Sequence, residues 1–469
     1  MKFINRQREL AFLGQEYTLK RSSFVVIYGR RRLGKTALIK EFIKDKPQAV
    51  YFLADKSSET MTINLFKDVI TRSLGKQFLS DVTFSTWDQL FQYYLQELNF
   101  SVKQILVIDE FQYLVWANPS FPSILQRIWD EYLKERNIML ILCGSSVSMM
   151  LSEVLNYDSP LYGRRTGQIQ MEPLTFQSFR EFYPESNNIS LLEFYGITGG
   201  VPKYIEFFDS RKPLLPQIRE SYLNVDHFLN QEARFILSEE INEPINYFSI
   251  LKSIAGGNHT ISGISNDLKF PLQKITPYLH TLQQIGLVER IVPVTEPAPH
   301  KSKKGLYRIR DHYLLFWFRY IFPYQSDIAM GNIGWLLEKI RKEYSDYIGP
   351  VFEEISRQSI PSLYPGKYTR IGSWWDKHNE VDIICLNAET REVLIGECKW
   401  TNKRVGKDIY KQLKEKSKTI EFGFQVTESH YAVFSKSGFT KDLIDLKDGN
   451  CSLISFKEKG LLNTLTDKL

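Results

Sequence analysis

The sequence predicts a multidomain α/β protein, and three stretches carry that prediction. The apolar run Phe24 to Tyr28 leads through a glycine-containing loop into a helical pattern. A second apolar run, Leu106 to Ile108, ends in the acidic pair Asp109-Glu110. Two further apolar stretches between residues 379 and 400 predict a β-hairpin. Strands that alternate with helical patterns favour a parallel sheet covered by helices.

The loop after the first strand has the spacing of a phosphate-binding Walker A motif. It reads Gly29-Arg30-Arg31-Arg32-Leu33-Gly34-Lys35-Thr36. Its glycines let backbone N–H groups surround the phosphates, Lys35 reaches the β and γ groups, and the Thr36 hydroxyl holds magnesium. A chance glycine-rich turn is the alternative, but the flanking strand and helix argue against it. We therefore expect ATP and Mg2+ as cofactors.

The strand that ends in Asp109-Glu110 has the form of a Walker B motif. In that interpretation Asp109 holds magnesium, and Glu110 orients and polarises the water that attacks the γ-phosphate. A strand that ends in Asp-Glu is common by itself. Its position downstream of the Walker A loop gives it weight, and together the motifs predict ATP hydrolysis.

Length and composition are those of a globular protein with more than one core. A chain of 469 residues suggests about two to four domains. Charged residues make up 24% of it and hydrophobic residues 43%, which excludes a disordered chain. The spacing of the four cysteines predicts neither a zinc site nor a disulfide framework: Cys143, Cys385, Cys398 and Cys451.

The sequence predicts a cytoplasmic protein without a membrane segment. Residues 1–6 lack the apolar core of a signal peptide, and no run of about 18 apolar residues occurs. The most apolar segment, Tyr313 to Phe322, is too short and contains Arg319. We expect that segment to be a buried core helix.

Further motifs in residues 1–210 resemble those of AAA-plus and STAND P-loop ATPases. Phe3 to Leu10 is similar to the opening motif of that class, which ends in Gly-Arg-x-x-Glu and borders the adenine. Arg6 is the matching arginine, and Asn5 replaces the glycine. The strand Ile138 to Cys143 resembles the strand between the two Walker motifs, and Ser145 is then the residue that senses the γ-phosphate.

Two more motifs carry the same resemblance. Arg164 and Arg165 precede the strand Gln168 to Met171, where AAA-plus proteins place a catalytic arginine finger. A solvated basic loop is the alternative for these arginines. Gly199-Gly200-Val201-Pro202 resembles the Gly-x-Pro element of STAND ATPases, in which the proline contacts the base. If an arginine acts across a subunit boundary, the protein forms a homo-oligomer.

The whole set resembles a family of prokaryotic ATPases, best known from archaea, with a nuclease-like C-terminal region. The resemblance implies four parts. They are a P-loop ATPase core over residues 1–175, a helical lid over 176–240, a winged helix over 241–325 and a restriction-endonuclease-like domain over 326–469.

Residues 241–325 contain the outline of a winged helix. The patterns Thr260 to Leu268 and Leu272 to Leu287 predict a helix-turn-helix, and two short strands then enclose a basic tip. Basic side chains could track the phosphates of DNA there. The tip contains His300, Lys301, Lys303 and Lys304, and the recognition helix offers Lys274, Thr276, Tyr278, His280 and Gln283. An ATPase lid or a protein contact is the open alternative.

The C-terminal hairpin places polar residues where strands end. A turn at Ala388 to Arg391 would set Asp382 opposite Glu397, with Glu397 and Lys399 on one face. The two carboxylates could hold a divalent metal while Lys399 orients water or stabilises phosphate charge.

The hairpin resembles the PD-(D/E)xK motif of restriction-endonuclease-like folds. Val381 stands where that motif has proline, and Glu353 resembles the acid on the first helix of the fold. A basic run follows the hairpin, which is either a nucleic-acid contact or a solvated helix face: Lys403, Arg404, Lys407, Lys411 and Lys414.

Two functions are consistent with these patterns. One is an ATP-dependent, DNA-processing enzyme with a metal-dependent nuclease site. The other is a nucleotide-switched regulator of STAND type, whose nuclease-like module binds DNA or protein without cutting it. DNA is the expected partner in the first case.

Overall fold

The computed structural model describes residues 3–76, 82–241, 243–446, 449–456 and 463–464. These form two compact units. The first comprises Met1–Pro173, Val201–Lys203 and Phe235–Asn242, and the second comprises Leu174–Gly200, Tyr204–Arg234 and Glu243–Leu469. Met1 and Lys2, at the N-terminus where no signal peptide is expected, lie outside the described residues. The predicted division into four parts is finer than this one.

The first unit contains a five-stranded, all-parallel sheet in the order β2-β3-β4-β1-β5. Every residue of β1, β3 and β4 is buried, as expected of parallel strands with both faces covered. This confirms the predicted α/β class. The strands are β1 (Ser23–Tyr28), β2 (Ala49–Leu53), β3 (Gln104–Asp109), β4 (Ile138–Gly144) and β5 (Gly167–Gln170).

Helices connect these strands and begin at local signals in the sequence. Thr86 caps α4 through its side chain, which accepts a hydrogen bond from the backbone N–H of Gln89. Single π-type turns extend α6 and α7 at Trp129–Leu133 and Leu151–Leu155. The helices are α1 (Gln7–Thr18), α2 (Lys35–Ile43), α3 (Glu59–Leu74), α4 (Trp87–Gln96), α5 (Gln112–Ala117), α6 (Phe121–Ile128) and α7 (Val147–Met150).

A buried lysine fixes the turn that precedes β1. The side chain of Lys103 is 6% exposed, and its Nζ donates to the carbonyl oxygens of Glu16, Leu19 and Arg21 at 3.0, 2.8 and 2.7 Å. Its distance to the hydroxyl of Ser23 is 3.1 Å. Burial lowers the pKa of Lys103 to about 8. The lysine thereby ties the end of α1 and the start of β1 to the residue before β3.

The second unit begins with helices that follow the parallel sheet in sequence. Gly199 and Gly200 end α9 with φ of 62° and 68°, values that favour glycine. A side chain at Gly200 would also overlap the carbonyl of Leu174, whose N–H donates to Gly200. The helices are α8 (Phe176–Arg180), α9 (Asn188–Thr198), α10 (Pro202–Ile205), α11 (Leu214–Ser221) and α12 (Phe228–Glu240). Pro202 and Lys203 of α10 and the last residues of α12, from Phe235, belong to the first unit.

Three helices and a two-stranded antiparallel hairpin come next. They are α13 (Ile245–Ala255), α14 (Ile261–Leu268), α15 (Leu272–Gln284), β6 (Val288–Ile291) and β7 (Leu306–Ile309). Thr260 caps α14 by accepting from the N–H of Gly263 at 3.0 Å. The tip of the hairpin contains a short 3-10 turn at Pro299–Lys301.

The apolar segment after β7 lies in the core of the second unit. It forms α16 (His312–Phe316), a π-type turn at Trp317–Ile321 and a 3-10 turn at Phe322–Tyr324. Trp317 and Tyr313 are fully buried and donate to the carbonyls of Asn230 and Leu229 at 2.7 and 2.9 Å. The prediction of a buried core helix is confirmed. In the part of the chain that the structure describes, no helix is long and apolar enough to span a membrane.

The rest of the second unit is a mixed six-stranded sheet in the order β13-β12-β11-β10-β9-β8. Strands β8, β9 and β10 pair antiparallel, whereas β10, β11 and β12 pair parallel. The elements are α17 (Gln325–Ala329), α18 (Gly334–Leu363), β8 (Arg370–Trp375), β9 (Glu380–Asn387), β10 (Glu392–Lys399), α19 (Lys407–Ser417), β11 (Glu428–Ser435), α20 (Lys441–Ile444), β12 (Cys451–Ser455) and β13 (Asn463–Thr464).

The hairpin predicted near the C-terminus is confirmed. Strands β9 and β10 pair from Asn387 opposite Glu392 to Ile383 opposite Gly396. The four residues between them are the predicted turn, and Arg391 ends it with a φ of 58°. All four cysteines are buried free thiols: Cys143, Cys385, Cys398 and Cys451.

Replacing Lys103 by methionine is expected to destabilise the first unit by about 3 kcal/mol, because three carbonyl groups would lose their shared, buried donor. Urea denaturation followed by circular dichroism would measure the loss. Lys134→Met is the matched control, since the Lys134 side chain is exposed. Equal denaturation midpoints for the two variants would contradict the anchoring role.

Candidate functional site

The phosphate-binding loop joins β1 to α2, and its glycines are required by its shape. Gly29 has a φ of 145°, and a Cβ there would lie 2.6 Å from the carbonyl oxygen of Met171. Lys35, which is 6% exposed, donates from Nζ to the carbonyls of Gly29 and Arg30 at 2.8 and 3.0 Å. Burial lowers the pKa of Lys35 below its ordinary value. An anion such as a phosphate would stabilise this buried cation.

The end of β3 meets the start of α2 at Asp109. The hydroxyl of Thr36 donates to Oδ2 of Asp109 at 2.9 Å, and the phenol of Tyr51 donates to the same oxygen at 2.6 Å. Asp109 is 1% exposed. A hydroxyl and a carboxylate oxygen are hard ligands of the kind magnesium prefers, so this pair fits the predicted metal site.

Tyr51 is a site residue that the sequence did not reveal. It lies on β2, which pairs parallel with β3 and sets Leu53 opposite Asp109. Burial raises the pKa of Tyr51, and the hydrogen bond to Asp109 raises it further. Tyr51 therefore remains a donor that orients the carboxylate. No local pattern around Tyr51 indicates this contact, which only the pairing of the strands creates.

Glu110 lies in a hydrogen-bonded group with Ser145 and Gln112. The Ser145 hydroxyl donates to Oε2 of Glu110 at 2.6 Å. Nε2 of Gln112 donates to the same Glu110 oxygen and to the Ser145 hydroxyl, the latter at 2.8 Å. Glu110 has a φ of 57°, an unfavourable value for a residue with a side chain. The backbone is thus held in a costly shape where the catalytic carboxylate is predicted.

The position of Ser145 follows from the order of the strands. β4 pairs with β1 on one side and β3 on the other, as expected of the strand between the Walker motifs. Ser145 follows β4 directly, so it lies beside Glu110. The serine was predicted as a sensor, whereas Gln112 was missed although it stands two residues after Glu110.

Asn5 and Arg6 show why asparagine replaces glycine in the opening motif. Their φ values are 62° and 71°, and asparagine is among the few residues that adopt this left-handed region readily. Oδ1 of Asn5 accepts from the N–H of Arg6 at 2.8 Å. Nη2 of Arg6 donates to the carbonyls of Glu172 and Leu33 at 2.7 and 3.3 Å. Arg6 thereby braces the phosphate-binding loop, and its contact with adenine stays a prediction.

The two arginines predicted as candidate fingers have different surroundings. Arg164 donates to both carboxylate oxygens of Asp130, with Nη2 2.9 Å from Oδ2, and to the carbonyl of Pro160 at 2.9 Å. The guanidinium of Arg165 lies 5.5 Å from the centre of the Tyr162 ring. None of the described hydrogen bonds of Arg164 reaches the phosphate-binding loop. The arginine-finger role stays a prediction for both arginines. Pro202 is the first residue of α10, and its contact with the nucleotide base also stays a prediction.

In the second unit, the hairpin of β9 and β10 gathers the other predicted site residues. The register places Asp382 next to the paired Ile383 and therefore opposite Glu397. Oδ2 of Asp382 accepts from the N–H of Cys398 at 2.7 Å. Lys399 donates to Oε1 of Glu397 at 2.6 Å.

Lys416 on α19 also contacts Glu397, and the sequence did not single it out. Its Nζ lies 3.4 and 3.3 Å from the two carboxylate oxygens of Glu397 and 3.0 Å from the carbonyl of Glu380. Two lysine ammonium groups therefore balance the charge of a carboxylate that is 6% exposed. A basic helix after the hairpin was predicted, but only the packing of α19 against β10 selects Lys416.

The acidic side chains near the hairpin influence one another. Burial raises the pKa of Asp382 well above its usual range, and the carboxylates of Glu353 and Glu397 raise it further. Burial also raises the pKa of Glu353, although Arg357, 3.8 Å away, opposes this. A cation would relieve the repulsion among these carboxylates.

A different set of residues on the same sheet brings potential metal ligands closer together than the predicted site does. Among the described residues, the one set of three with ligand atoms within 4.8 Å of one another is Glu392, Glu428 and His430. Nζ of Lys367 lies 2.9 Å from Nε2 of His430 and 3.5 Å from Glu392. The lysine supplies positive charge there. Glu353, Asp382 and Glu397 do not converge to the same degree.

Comparison with known proteins finds two domains in the chain and one relative that aligns with nearly all of it. Residues 3–208 match an ATPase domain found predominantly in Archaea, and residues 317–417 match a domain of archaeal and bacterial proteins of unknown function. An uncharacterised protein of Methanocaldococcus jannaschii is 35% identical over 97% of this chain and 99% of its own length. The chain belongs to the same family as this protein, and its first half contains the archaeal ATPase domain.

Two further similarities agree with that assignment. An uncharacterised ATP-binding protein of the same organism is 26% identical over 54% of this chain and 86% of its own length. The structure of the Walker-type ATPase of Pyrococcus abyssi aligns with a TM-score of 0.50 and 19% identity. It covers 68% of this chain and 96% of its own, and at that identity the likeness shows the P-loop fold. The predicted resemblance to archaeal ATPases is confirmed, and the nuclease-like interpretation of the C-terminal region stays a prediction.

Replacing Tyr51 by phenylalanine is expected to raise the Mg2+ concentration for half-maximal ATP hydrolysis about 10-fold, because Asp109 loses the donor that orients it. ATP binding in the absence of magnesium should not change. A magnesium titration of phosphate release would measure the shift. Tyr157→Phe is the control, since Tyr157 is 77% exposed. Identical magnesium dependence in both variants would argue against the orienting role.

Proposed function

We propose that the protein hydrolyses ATP at the phosphate-binding loop and acts on DNA through a metal-dependent nuclease site at the hairpin of β9 and β10. The ATPase part rests on one observation above others: Thr36, Asp109, Glu110 and Ser145 come from three separate chain segments and meet beside the loop. The nuclease part rests on the pairing of Asp382 with Glu397 and Lys399.

Each group at the loop has a separate task in the proposed ATPase reaction. Lys35 would leave the carbonyls of Gly29 and Arg30 to bind the β- and γ-phosphates. Thr36 and Asp109 would hold Mg2+, which neutralises charge on the phosphates. Glu110 would orient and polarise the attacking water, and Ser145 would report the γ-phosphate to it through their hydrogen bond.

The topology of the C-terminal sheet supports the nuclease proposal. A long helix, α18, precedes three antiparallel strands, and α19 then leads to the parallel strand β11. This is the arrangement expected of the restriction-endonuclease-like fold that the PD-(D/E)xK resemblance implies. Glu353 lies on α18, as that resemblance also implies. The match to the domain of unknown function, residues 317–417, includes Glu353, Asp382, Glu397 and Lys399.

The chemistry of the hairpin suits a divalent metal. Asp382 and Glu397 offer carboxylate oxygens, and a cation would relieve the repulsion between neighbouring carboxylates that helps to raise the pKa of Asp382. A metal held there would lower the pKa of a bound water and polarise a phosphodiester. Lys399 would orient the water or stabilise the charge on the attacked phosphate.

Exposed basic side chains support DNA as the partner. α13 to α15 and the hairpin of β6 and β7 have the order of elements of a winged helix. On α15, Lys274, Thr276 and His280 are exposed. At the hairpin tip the exposed basic residues are His300, Lys301, Lys303 and Lys304. Contacts of this kind bind phosphates without reading sequence.

One observation favours a second function, a nucleotide-switched regulator with a silent nuclease-like module. Both Lys399 and Lys416 contact the Glu397 carboxylate, so two ammonium groups already supply the positive charge that a metal would bring. If these lysines persist in contact with Glu397, the module would bind DNA or protein without cutting it. A regulator of this type would form a homo-oligomer if Arg164 or Arg165 acts across a subunit boundary.

Glu110→Gln should reduce the rate of ATP hydrolysis about 100- to 1000-fold while preserving ATP binding, because only the water-activating carboxylate is lost. Lys35→Ala should abolish binding itself. Phosphate release and titration with a fluorescent ATP analogue would separate the two effects, with the exposed Glu135→Gln as control. Unchanged hydrolysis in Glu110→Gln would remove Glu110 from this role.

The Asp382→Ala/Lys399→Ala variant should lose metal-dependent DNA cleavage and retain ATP hydrolysis, because the two reactions use different residues. Branched and linear DNA would be incubated with Mg2+ or Mn2+, with and without ATP. Glu389→Ala/Lys377→Ala is the matched control, since both of its side chains are exposed in the turns that connect β8 to β9 and β9 to β10. Cleavage that persists in the first variant would contradict the assigned site. Absence of cleavage by the natural protein, with ATP still hydrolysed, would favour the switch.

A further inference from the structure

Arg31, the third residue of the phosphate-binding loop, makes two contacts that its place in the motif does not explain. Its Nε lies 2.6 Å from Oε2 of Glu239, and its Nη2 donates to the phenol oxygen of Tyr113 at 2.9 Å. Glu239 is near the end of α12, in the segment that belongs to the first unit. The side chains of Arg31 and Glu239 are each 32% exposed, although Nε of Arg31 itself is buried.

The partner Tyr113 places the guanidinium on the side of the site where hydrolysis would occur. The N–H of Tyr113 donates to the carbonyl of Glu110 at 3.0 Å, so the tyrosine lies in the turn directly after the catalytic carboxylate. Arg31 thus bridges the phosphate-binding loop and the Glu110 turn. A γ-phosphate bound by Lys35 and attacked by water at Glu110 would lie between these two segments.

The end of α12 contacts the site at a second point through Glu240. The carboxylate of Glu240 accepts from the N–H groups of Val147 and Ser148 at 2.9 and 3.0 Å and from the Ser148 hydroxyl at 3.0 Å. These residues follow Ser145 closely in sequence. The adjacent glutamates Glu239 and Glu240 therefore attach one helix end to both the phosphate-binding loop and the segment after β4.

We infer that Arg31 is a γ-phosphate ligand supplied within the same chain, and that Glu239 is the counter-ion it leaves when ATP binds. This inference rests on the proposed ATPase function. A guanidinium forms its strongest pairs as a two-pronged donor, and the γ-phosphate carries more negative charge than one carboxylate. ADP lacks that group and would leave the pair of Arg31 and Glu239 intact.

The exchange gives the site a means to distinguish ATP from ADP. With ATP, Glu239 loses its contact with Arg31, and the end of α12 keeps the attachment made by Glu240. With ADP, both attachments remain. Arg164 is less suited to this task within its own chain, because Asp130 and the carbonyl of Pro160 already take its donors.

The test compares Arg31→Ala, Glu239→Gln and the double variant in the full chain. Binding of fluorescent ATP and ADP analogues and phosphate release would be measured for each. Arg31→Ala should reduce the preference for ATP over ADP and lower the turnover number about 100-fold or more. Glu239→Gln should strengthen ATP binding about 2- to 5-fold, as expected for a partly exposed ion pair, and leave ADP binding unchanged. In the double variant that gain should disappear.

Controls separate this inference from folding and from the ATPase function itself. Glu135→Gln removes an exposed charge of the first unit and should behave as the natural protein does. Thermal melting would show that each variant is folded, and Arg31→Lys would keep the charge without the two-pronged geometry.

The inference alone would be overturned if folded Arg31→Ala kept the natural turnover and ATP preference while Lys35→Ala was inactive. An ATP-specific gain that persists in the double variant would also overturn it. Failure of the natural protein to bind ATP would refute the ATPase function instead.

Discussion

The parallel pairing of β4 between β1 and β3 is the constraint on which the nucleotide site depends. The loop after β1, the carboxylates at the end of β3 and Ser145 after β4 are far apart in sequence, yet parallel strands end at the same edge of the sheet. Lys35, Asp109 and Ser145 therefore lie close together at that edge, although they are distant in sequence. The buried apolar residues of these strands therefore do more than fill a core, because their register determines which polar groups meet.

Three residues near the nucleotide site have unusual backbone conformations. Glu110, Asn5 and Arg6 all adopt positive φ values, which are uncommon for residues with side chains. Such shapes persist only where the surroundings hold them, and here hydrogen bonds do so: Asn5 to Arg6, Arg6 to Leu33, and Glu110 to Ser145. Asn5 therefore keeps the left-handed backbone conformation that the glycine of the motif would adopt.

The two proposed sites balance their charges in different ways. At the nucleotide site a buried lysine contacts backbone carbonyls, so a phosphate would find a cation in need of an anion. At the hairpin, two lysines already contact the Glu397 carboxylate, while the carboxylates of Glu353 and Glu397 raise the pKa of Asp382. The first arrangement is prepared for an anionic ligand. The second must exchange an ammonium group for a metal before a nuclease reaction, which is why a silent binding module is a serious alternative.

The sequence by itself determined the parallel α/β class, the phosphate-binding loop, the strand ending in Asp109-Glu110 and the hairpin of Asp382 and Glu397. These depend on local spacing, because turn residues, strand periodicity and loop chemistry act over a few positions. Tertiary structure alone decided the contacts of Tyr51 with Asp109, Lys416 with Glu397 and Glu239 with Arg31. Each of these joins residues from separate elements, and their partners are set by strand register and helix packing. No pattern within a short window of sequence records such a choice.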